Sequence, residues 1–129
     1  MELLHGDISS SILKGFYTVA NALPYCLDKS FYSNALTIEL QELGLKVDNN
    51  QQQTVKYKDT VIGQFIFDLV VNNAVVVQVS IDKGFIQTEQ IDLAKNFLKL
   101  TDFEVLLLLN FGIEGDHKRI FLSNNYKNR

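Results

Sequence analysis

The sequence predicts one α/β domain, in which a mixed β-sheet is flanked by helices in the order α-α-β-β-β-α-β-β. Three observations lead to this fold. Apolar residues recur every three or four positions from residue 8 to residue 43, as in amphipathic helices. After residue 45 apolar and polar residues alternate, as in strands. A further helical pattern over residues 88–100 separates two continuous apolar runs, which favours a crossover between parallel strands.

The first two helices are predicted over residues 8–23 and 30–43. Pro24, the only proline, ends the first helix. Ser30 is the expected N-cap of the second helix, and Gly44 follows its end as glycine commonly does. The predicted buried face of the second helix carries Phe31, Ala35, Ile38 and Leu43, with Leu36 and Leu40 beside it.

The strands begin after this helix. Residues 54–58 alternate and residues 61–71 are largely apolar, so a hairpin closed at Lys58-Asp59-Thr60 is predicted. Residues 74–81 follow a turn at Asn72-Asn73 and are mostly β-branched and apolar, which indicates a central strand buried on both faces. Four further segments complete the prediction: a loop or strand edge at 49–53, a helix at 88–100 with Leu93 inward, and strands at 104–109 and 118–122.

The composition is that of a folded globular domain. The chain has 129 residues, of which 47% are hydrophobic and 21% charged, whereas a disordered chain would have far fewer apolar residues. No repeat or linker is visible, so we expect a single domain over residues 1–129 with a polar tail at residues 124–129. The net charge of -3 argues against a protein that coats nucleic acid, because such proteins are normally basic.

The sequence shows no targeting signal. Residues 1–7 carry two acids and no lysine or arginine, unlike a signal peptide. The longest apolar run, residues 105–109, is far shorter than a membrane span. The single cysteine, Cys26, has no disulfide partner, and we expect it to be a small buried hydrophobe. The expected location is the cytoplasm, without membrane attachment.

Familiar catalytic motifs such as a phosphate-binding glycine loop or a zinc-ligand cluster are absent, and one acidic residue stands out instead. Asp68 interrupts an apolar strand, where a carboxylate is costly unless it is paired, hydrogen-bonded or bound to a cation. Gln78, Ser80 and Asp82 alternate with apolar residues and share one face of the next strand. Two explanations stay open. Asp68 either belongs to a chemical site or caps a bend, with Gln78 and Ser80 hydrogen-bonded to each other.

The chain resembles the GxxExxY protein family of the PD-(D/E)xK nuclease-like superfamily, from about Ile8 to Leu122. The similarities occur in the family's order. They are Tyr32-Ser33-Asn34-Ala35-Leu36, Glu39-Leu40, Leu43-Gly44-Leu45-Lys46-Val47, Gly63 with Phe67-Asp68-Leu69-Val70-Val71, Asn96-Phe97-Leu98, Leu107-Leu108-Leu109-Asn110-Phe111-Gly112 and Lys118-Arg119-Ile120. The resemblance implies a PD-(D/E)xK nuclease-like core, in which carboxylates on a helix and two strands hold Mg²⁺ and a lysine assists.

This sequence departs from that metal-binding pattern. The family's Gly-x-x-Glu-x-x-Tyr falls on Cys26, Lys29 and Tyr32, and its Glu-x-Lys falls on Gln78 and Ser80. Asp68 is therefore interpreted as a remnant of the catalytic site. The residues expected to line it are Lys29, Tyr32, Gln78 and Ser80. The resemblance further predicts that the Lys29 ammonium lies within salt-bridge reach of Asp68, in place of the metal's charge.

These departures favour a catalytically inactive relative, kept as a binding or interaction module without a cofactor. Its partner would be another protein or a second copy of the chain, and nucleic acid is not favoured. Phe16 and Tyr17 on the first helix are the expected exposed contacts for self-association. The alternative is a Mg²⁺-dependent nuclease with a displaced site made of Asp68, Asp82, Glu89 and Lys95. A small-ligand binder on the same fold is a third hypothesis, because fold does not fix function.

Overall fold

The computed structural model describes residues 4–127, which form a five-stranded mixed sheet with helices on both faces. The strands are β1 (Val47–Tyr57), β2 (Thr60–Val71), β3 (Val75–Ser80), β4 (Val105–Asn110) and β5 (His117–Phe121), in that spatial order. The helices are α1 (Gly6–Ala22), α2 (Lys29–Glu42) and α3 (Thr88–Lys99). The predicted fold class and order of elements are confirmed. No helix within residues 4–127 is both long and apolar enough to cross a bilayer.

The crossover through α3 is confirmed as well. Strands β3 and β4 are parallel, with Val75 beside Val105 and Ser80 beside Asn110, while the other neighbouring strands are antiparallel. Helices pack on both faces of the sheet, so the first residues of the central strand β3 are covered on both sides. Val75, Val76 and Val77 are each 0% exposed.

Two apolar clusters hold the helices to the sheet. The helices α1 and α2 pack on one face, through residues such as Ile12, Leu36 and Leu107. The helix α3 packs on the other face, where Ala94 and Leu98 meet Leu106 and Phe67. The sheet is therefore the middle layer of three.

Helix α2 begins and ends through local side-chain and backbone chemistry. Asp28 is its N-cap and accepts hydrogen bonds from Ser30 N (3.3 Å) and Ser30 Oγ (2.7 Å), so the expected cap at Ser30 is wrong by two residues. At the other end Gly44 has φ 83°, its N–H donates to Gln41 O, and the Leu45 N–H donates to Leu40 O. This is a Schellman ending, which favours glycine.

The buried face of α2 differs from the prediction. Tyr32, Leu36 and Leu40 are 0–1% exposed, whereas Phe31 and Ile38 are 55% and 56% exposed. Both sets have helical spacing, so spacing alone could not choose between them. The choice is made by Phe111 at the end of β4, because the Tyr32 ring stacks on it with 4.9 Å between centroids.

Other burial expectations also need correction. Phe16 is fully buried, and only Tyr17 of the expected pair is exposed (49%). Cys26 is exposed, with a left-handed φ of 71°, because it lies in the loop between α1 and α2 rather than in the core. Leu93 on α3 is 53% exposed. Within the predicted polar tail, residues 124–126 form a short 3₁₀ helix, and residues 128 and 129 lie outside the described part of the chain.

The hairpin of β1 and β2 extends beyond the rest of the sheet. Pairing between β2 and β3 covers only Leu69 to Val71, so residues 60–66 of β2 pair with β1 alone. The predicted turn is present, with left-handed Lys58 and Asp59 (φ 49° and 65°), as expected for a tight hairpin. The ribbon is long and narrow, and its apolar side chains near the tip are exposed.

Candidate functional site

The site forms where strands β2 and β3 part. Their last backbone pair is Leu69 with Val77, and the next two residues, Asp68 and Gln78, connect the strands through their side chains. The Asp68 N–H donates to Gln78 Oε1 (2.7 Å), and the Val79 N–H donates to Asp68 Oδ2 (2.7 Å). Gln78 Nε2 also donates to Ile66 O (3.2 Å). Side-chain hydrogen bonds therefore replace the backbone ladder and bridge the split between β2 and β3.

The alternation of β2 side chains between the two faces of the sheet is interrupted at the same point. Phe67 packs in the cluster around α3, whereas Leu69 packs in the cluster under α1 and α2. Strict alternation would place both on one face. The neighbouring strand is irregular too, because Asn50, opposite Asp68, has a left-handed φ of 53°. This irregularity sets Asp68 into the gap between the strands, where it is 9% exposed.

Lys29 meets Asp68 from helix α2. Its Nζ lies 2.9 Å from Asp68 Oδ1, and the exposed fractions of the two side chains are 48% and 11%. The predicted approach of Lys29 to Asp68 is confirmed. Lys29 is the first residue of α2, so the Asp28 cap fixes the backbone from which it reaches. The hydrogen bonds from the Ser30 hydroxyl and N–H hold the pKa of the Asp28 carboxyl below its ordinary value of 3.8.

Two depressions lie beside the ion pair, and because Lys29 borders both of them they are together called the Lys29 cleft. A slot of 180 Å³ lies between β3 and α3, with Leu93, Ala94 and Phe97 as its apolar wall. An open polar depression of 460 Å³ lies on the other side, toward α2 and β1. Lys29 borders both depressions, and Gln78 and Ser80 border the slot. Of the four expected lining residues, Lys29 and Gln78 contact Asp68 directly, and Ser80 borders the slot beside them.

The fourth, Tyr32, lies in the core and borders neither depression. Its hydroxyl donates to Pro24 O (2.5 Å) and accepts from the Leu27 N–H (3.3 Å). These bonds tie down the loop that precedes Lys29. In this chain the tyrosine therefore positions the start of α2 and has no contact with the cleft.

The residues of the displaced site do not join Asp68 in a cluster. Asp82 Oδ2 accepts a hydrogen bond from Gln90 Nε2 (3.0 Å), and Glu89 and Lys95 are exposed on α3. Across residues 4–127, no group of three His, Cys, Asp or Glu side chains is placed to hold a metal ion.

The residues around Asp68 do not fit a divalent metal. One carboxylate oxygen bonds the Lys29 ammonium and the other bonds the Val79 N–H, while the Gln78 carbonyl oxygen is engaged by the Asp68 N–H. Mg²⁺ requires about six oxygen ligands. A unit charge some 4 Å from a divalent ion costs several kcal/mol even at an effective dielectric constant of about 20. The ammonium thus supplies the positive charge that a metal would bring.

Sequence reasoning missed two features of this site. The left-handed Asn50 opposite Asp68 has a weak signal, since asparagine adopts that conformation more readily than most residues. Gln78 bonds the Asp68 backbone directly, whereas one of the two open explanations paired Gln78 with Ser80. Nothing in strand periodicity indicates where a ladder ends.

Comparison with known proteins gives one family. A model of the PD-(D/E)XK nuclease superfamily matches residues 6–120, nearly the whole chain. No curated protein and no solved structure matches significantly.

Proposed function

The chain belongs to the PD-(D/E)XK nuclease superfamily, and we propose that it is a catalytically inactive member that works as a binding or interaction module. One observation carries this proposal: Lys29 Nζ lies 2.9 Å from Asp68 Oδ1. The resemblance to the GxxExxY family, in which Lys29 takes the place of the signature glutamate, is part of the same proposal.

The chemical argument rests on charge. A superfamily nuclease needs negative ligands to bind a cation that activates water and neutralises the phosphate. Here Asp68 is already neutralised by Lys29, and Gln78 adds a neutral oxygen that is already hydrogen-bonded. A bound metal would have to displace the ammonium and break the bond that closes the split between β2 and β3. These contacts of Asp68 support a protein that retains the nuclease fold for binding and not for cleavage.

The hairpin of β1 and β2 supports a protein as the partner. Near its tip, Tyr57, Val61 and Ile62 are 51–65% exposed, and Ile66 is 50% exposed. A two-stranded ribbon has little stability of its own, and grouped exposed apolar residues commonly mark interaction surfaces. Another protein and a second copy of the chain both remain within the proposal.

The decisive experiment measures cleavage and metal binding together. We expect the natural protein to leave single- and double-stranded DNA and RNA intact in Mg²⁺ or Mn²⁺, and to show no Mg²⁺ binding by calorimetry. The triple variant Lys29→Glu, Gln78→Glu, Ser80→Lys is the matched comparison and should gain metal binding. Cleavage by the natural protein that is abolished by EDTA and by Asp68→Ala would overturn the proposal, and Asp82, Glu89 and Lys95 would then be tested.

The partner is tested by light scattering at about 100 μM, a concentration that detects weak self-association. A dimer in the natural protein that is lost in Ile62→Lys assigns the hairpin as the self-association surface. The control is Leu100→Lys, which places the same charge on an apolar residue that is 52% exposed at the end of α3. A monomer leaves another protein as the partner, to be sought with the hairpin as the contact.

A further inference from the structure

A second pocket lies away from the Lys29 cleft, between the first turn of α1 and strand β5. Its volume is 530 Å³, and it is bordered by His5, Asp7, Ile8, Ser9 and Arg119 among others. The Lys29 cleft lies beside the start of α2, which follows the far end of α1. A length of about 25 Å separates the two ends of a 17-residue helix such as α1. The two sites are therefore independent.

Two buried polar atoms on this pocket lack partners. In the described part of the chain, Ser9 Oγ and Arg119 Nε are the buried side-chain polar atoms without a hydrogen bond. Ser9 is 5% exposed. Most buried polar groups in proteins are hydrogen-bonded, so an unpaired one requires an explanation such as a bound ion or water. That both belong to residues of one pocket points to a common partner.

The guanidinium of Arg119 is held in a fixed position. Its Nη2 donates to Leu4 O (2.7 Å), and it lies over the Phe121 ring, 5.8 Å from the centroid. Among the carboxylates of residues 4–127, none lies within salt-bridge distance of Arg119. Among the described residues, its charge therefore has no carboxylate counterion and its buried Nε–H has no acceptor.

The start of α1 adds further donors. The N-cap residue His5 makes no side-chain capping bond, so the first-turn N–H groups of Gly6, Asp7 and Ile8 have no side-chain acceptor from the cap. The N-terminal end of a helix also carries partial positive charge. The Asp7 carboxylate is exposed at the same pocket and opposes an anion, which the fixed charge of Arg119 must outweigh.

We propose that this pocket binds the phosphate group of a small molecule, which accepts from Ser9 Oγ, Arg119 Nε and the first-turn amides of α1. Both unpaired groups can donate a hydrogen bond, and the Arg119 guanidinium also carries a full positive charge. Their complement is an anion with several acceptor oxygens, and hydrogen bonds between charged groups are the stronger kind. The volume beyond the phosphate leaves room for the rest of a phosphate monoester against Ile8.

Inorganic phosphate is the probe that tests this site. In an NMR titration of the full-length protein up to about 50 mM phosphate, a range that detects millimolar affinity, the amides of residues 6–8 and the Arg119 Nε–H should shift and saturate. Acetate should bind more weakly at the same concentrations. The absence of saturable shifts with phosphate, or equal shifts with acetate, would overturn the assignment.

Two variants separate binding from folding. Ser9→Ala removes an unpaired hydroxyl, so it should not lower the melting temperature, yet it should weaken phosphate binding about fivefold. Arg119→Gln should weaken it about tenfold or more. The matched control Lys118→Gln removes the same charge from an exposed neighbour on β5 and should have little effect. Equal losses in both charge variants, or unchanged affinity in Ser9→Ala, would show that the pocket holds only water.

Discussion

Asp68 and Gln78 each bond the other's strand through a side chain: the Asp68 N–H donates to Gln78 Oε1, and the Asp68 carboxylate accepts from the N–H that follows Gln78. The split between β2 and β3 is therefore closed by the residues at which the superfamily resemblance implies metal ligands. Lys29 completes the closure by pairing with the remaining carboxylate oxygen. In this chain the positions that would bind a metal in a nuclease instead join β2 to β3 and α2 to β2.

The first prediction concerns Lys29. Lys29→Met removes the counterion of a carboxylate that is 11% exposed, while the lysine itself is 48% exposed and partly screened by solvent. We expect a loss of about 1–2 kcal/mol in the free energy of unfolding, between the values for exposed and buried pairs. Urea denaturation measures it. Lys95→Met, on the exposed side of α3, is the control and should change stability by less than about 0.5 kcal/mol.

A double-mutant cycle then isolates the ion pair. With Asp68→Asn as the second change, the loss caused by Lys29→Met should become much smaller, because the neutral amide no longer needs a counterion. An unchanged loss in the Asp68→Asn background would mean that Lys29 stabilises the fold through its alkyl chain and not through its charge.

The second prediction concerns Gln78. Gln78→Ala leaves the Asp68 N–H and the Ile66 carbonyl without their side-chain partner. Unpaired backbone groups cost about 1–3 kcal/mol when buried, and we expect a loss in the lower half of this range because Gln78 is half-buried. Faster amide hydrogen exchange at Asp68 and Val79 should accompany it. Ser80→Ala is the control on the same face, and its amide exchange at Asp68 should match that of the natural protein.

Strand and helix order were predictable because they depend on the spacing of apolar residues along the chain. The contact of Lys29 with Asp68 was predictable only through the family resemblance, since it joins residues 39 positions apart. The buried face of α2 was not predictable, because Phe31 and Tyr32 both begin acceptable apolar stripes and Phe111, which directly follows β4, selects between them. The break in the β2 ladder at Asp68 depends on side-chain bonds across strands, which periodicity does not reveal.

The third prediction concerns pH. The pKa of Asp28 is lowered by the hydrogen bonds from Ser30, first from its hydroxyl and then from its N–H. A carboxyl whose folded pKa lies below its unfolded value stabilises the fold above the unfolded pKa, and that contribution disappears as the pH falls through the folded pKa. An NMR titration of the Asp28 carboxyl carbon should therefore give a midpoint below 3.8.

Variants of Asp28 check the origin of this shift. Asp28→Ala should lower the melting temperature at neutral pH, and its difference from the natural protein should shrink in acid. Asp28→Asn retains a capping oxygen and should stay close to the natural protein at neutral pH. A midpoint at or above 3.8 would show that the cap does not hold the charged form.

The last prediction concerns Gly112, which follows the end of β4 in the segment Asn110-Phe111-Gly112. A Cβ at this position would lie 1.9 Å from Asp82 O and 3.1 Å from Asn110 Oδ1. Asn110 is fully buried, its Nδ2 donates to Asp82 O (3.1 Å) and Gly84 O (2.9 Å), and its Oδ1 accepts from the Gly112 N–H (2.9 Å). The glycine is thus required by close approach of two backbone segments, which explains this part of the motif without any role in chemistry.

Gly112→Ala should therefore destabilise the protein by about 2–3 kcal/mol, because the colliding atom belongs to the backbone and cannot rotate away. Gly63→Ala is the matched control: no heavy atom lies within 4 Å of its added Cβ, and its φ is not left-handed. In a strand that change should be neutral or stabilise by up to about 1 kcal/mol, since glycine is entropically costly there. Urea denaturation of both variants measures the contrast. Equal stability of the two would mean that the loop at residues 82–84 moves aside freely, and that Asn110 does not fix it against β4.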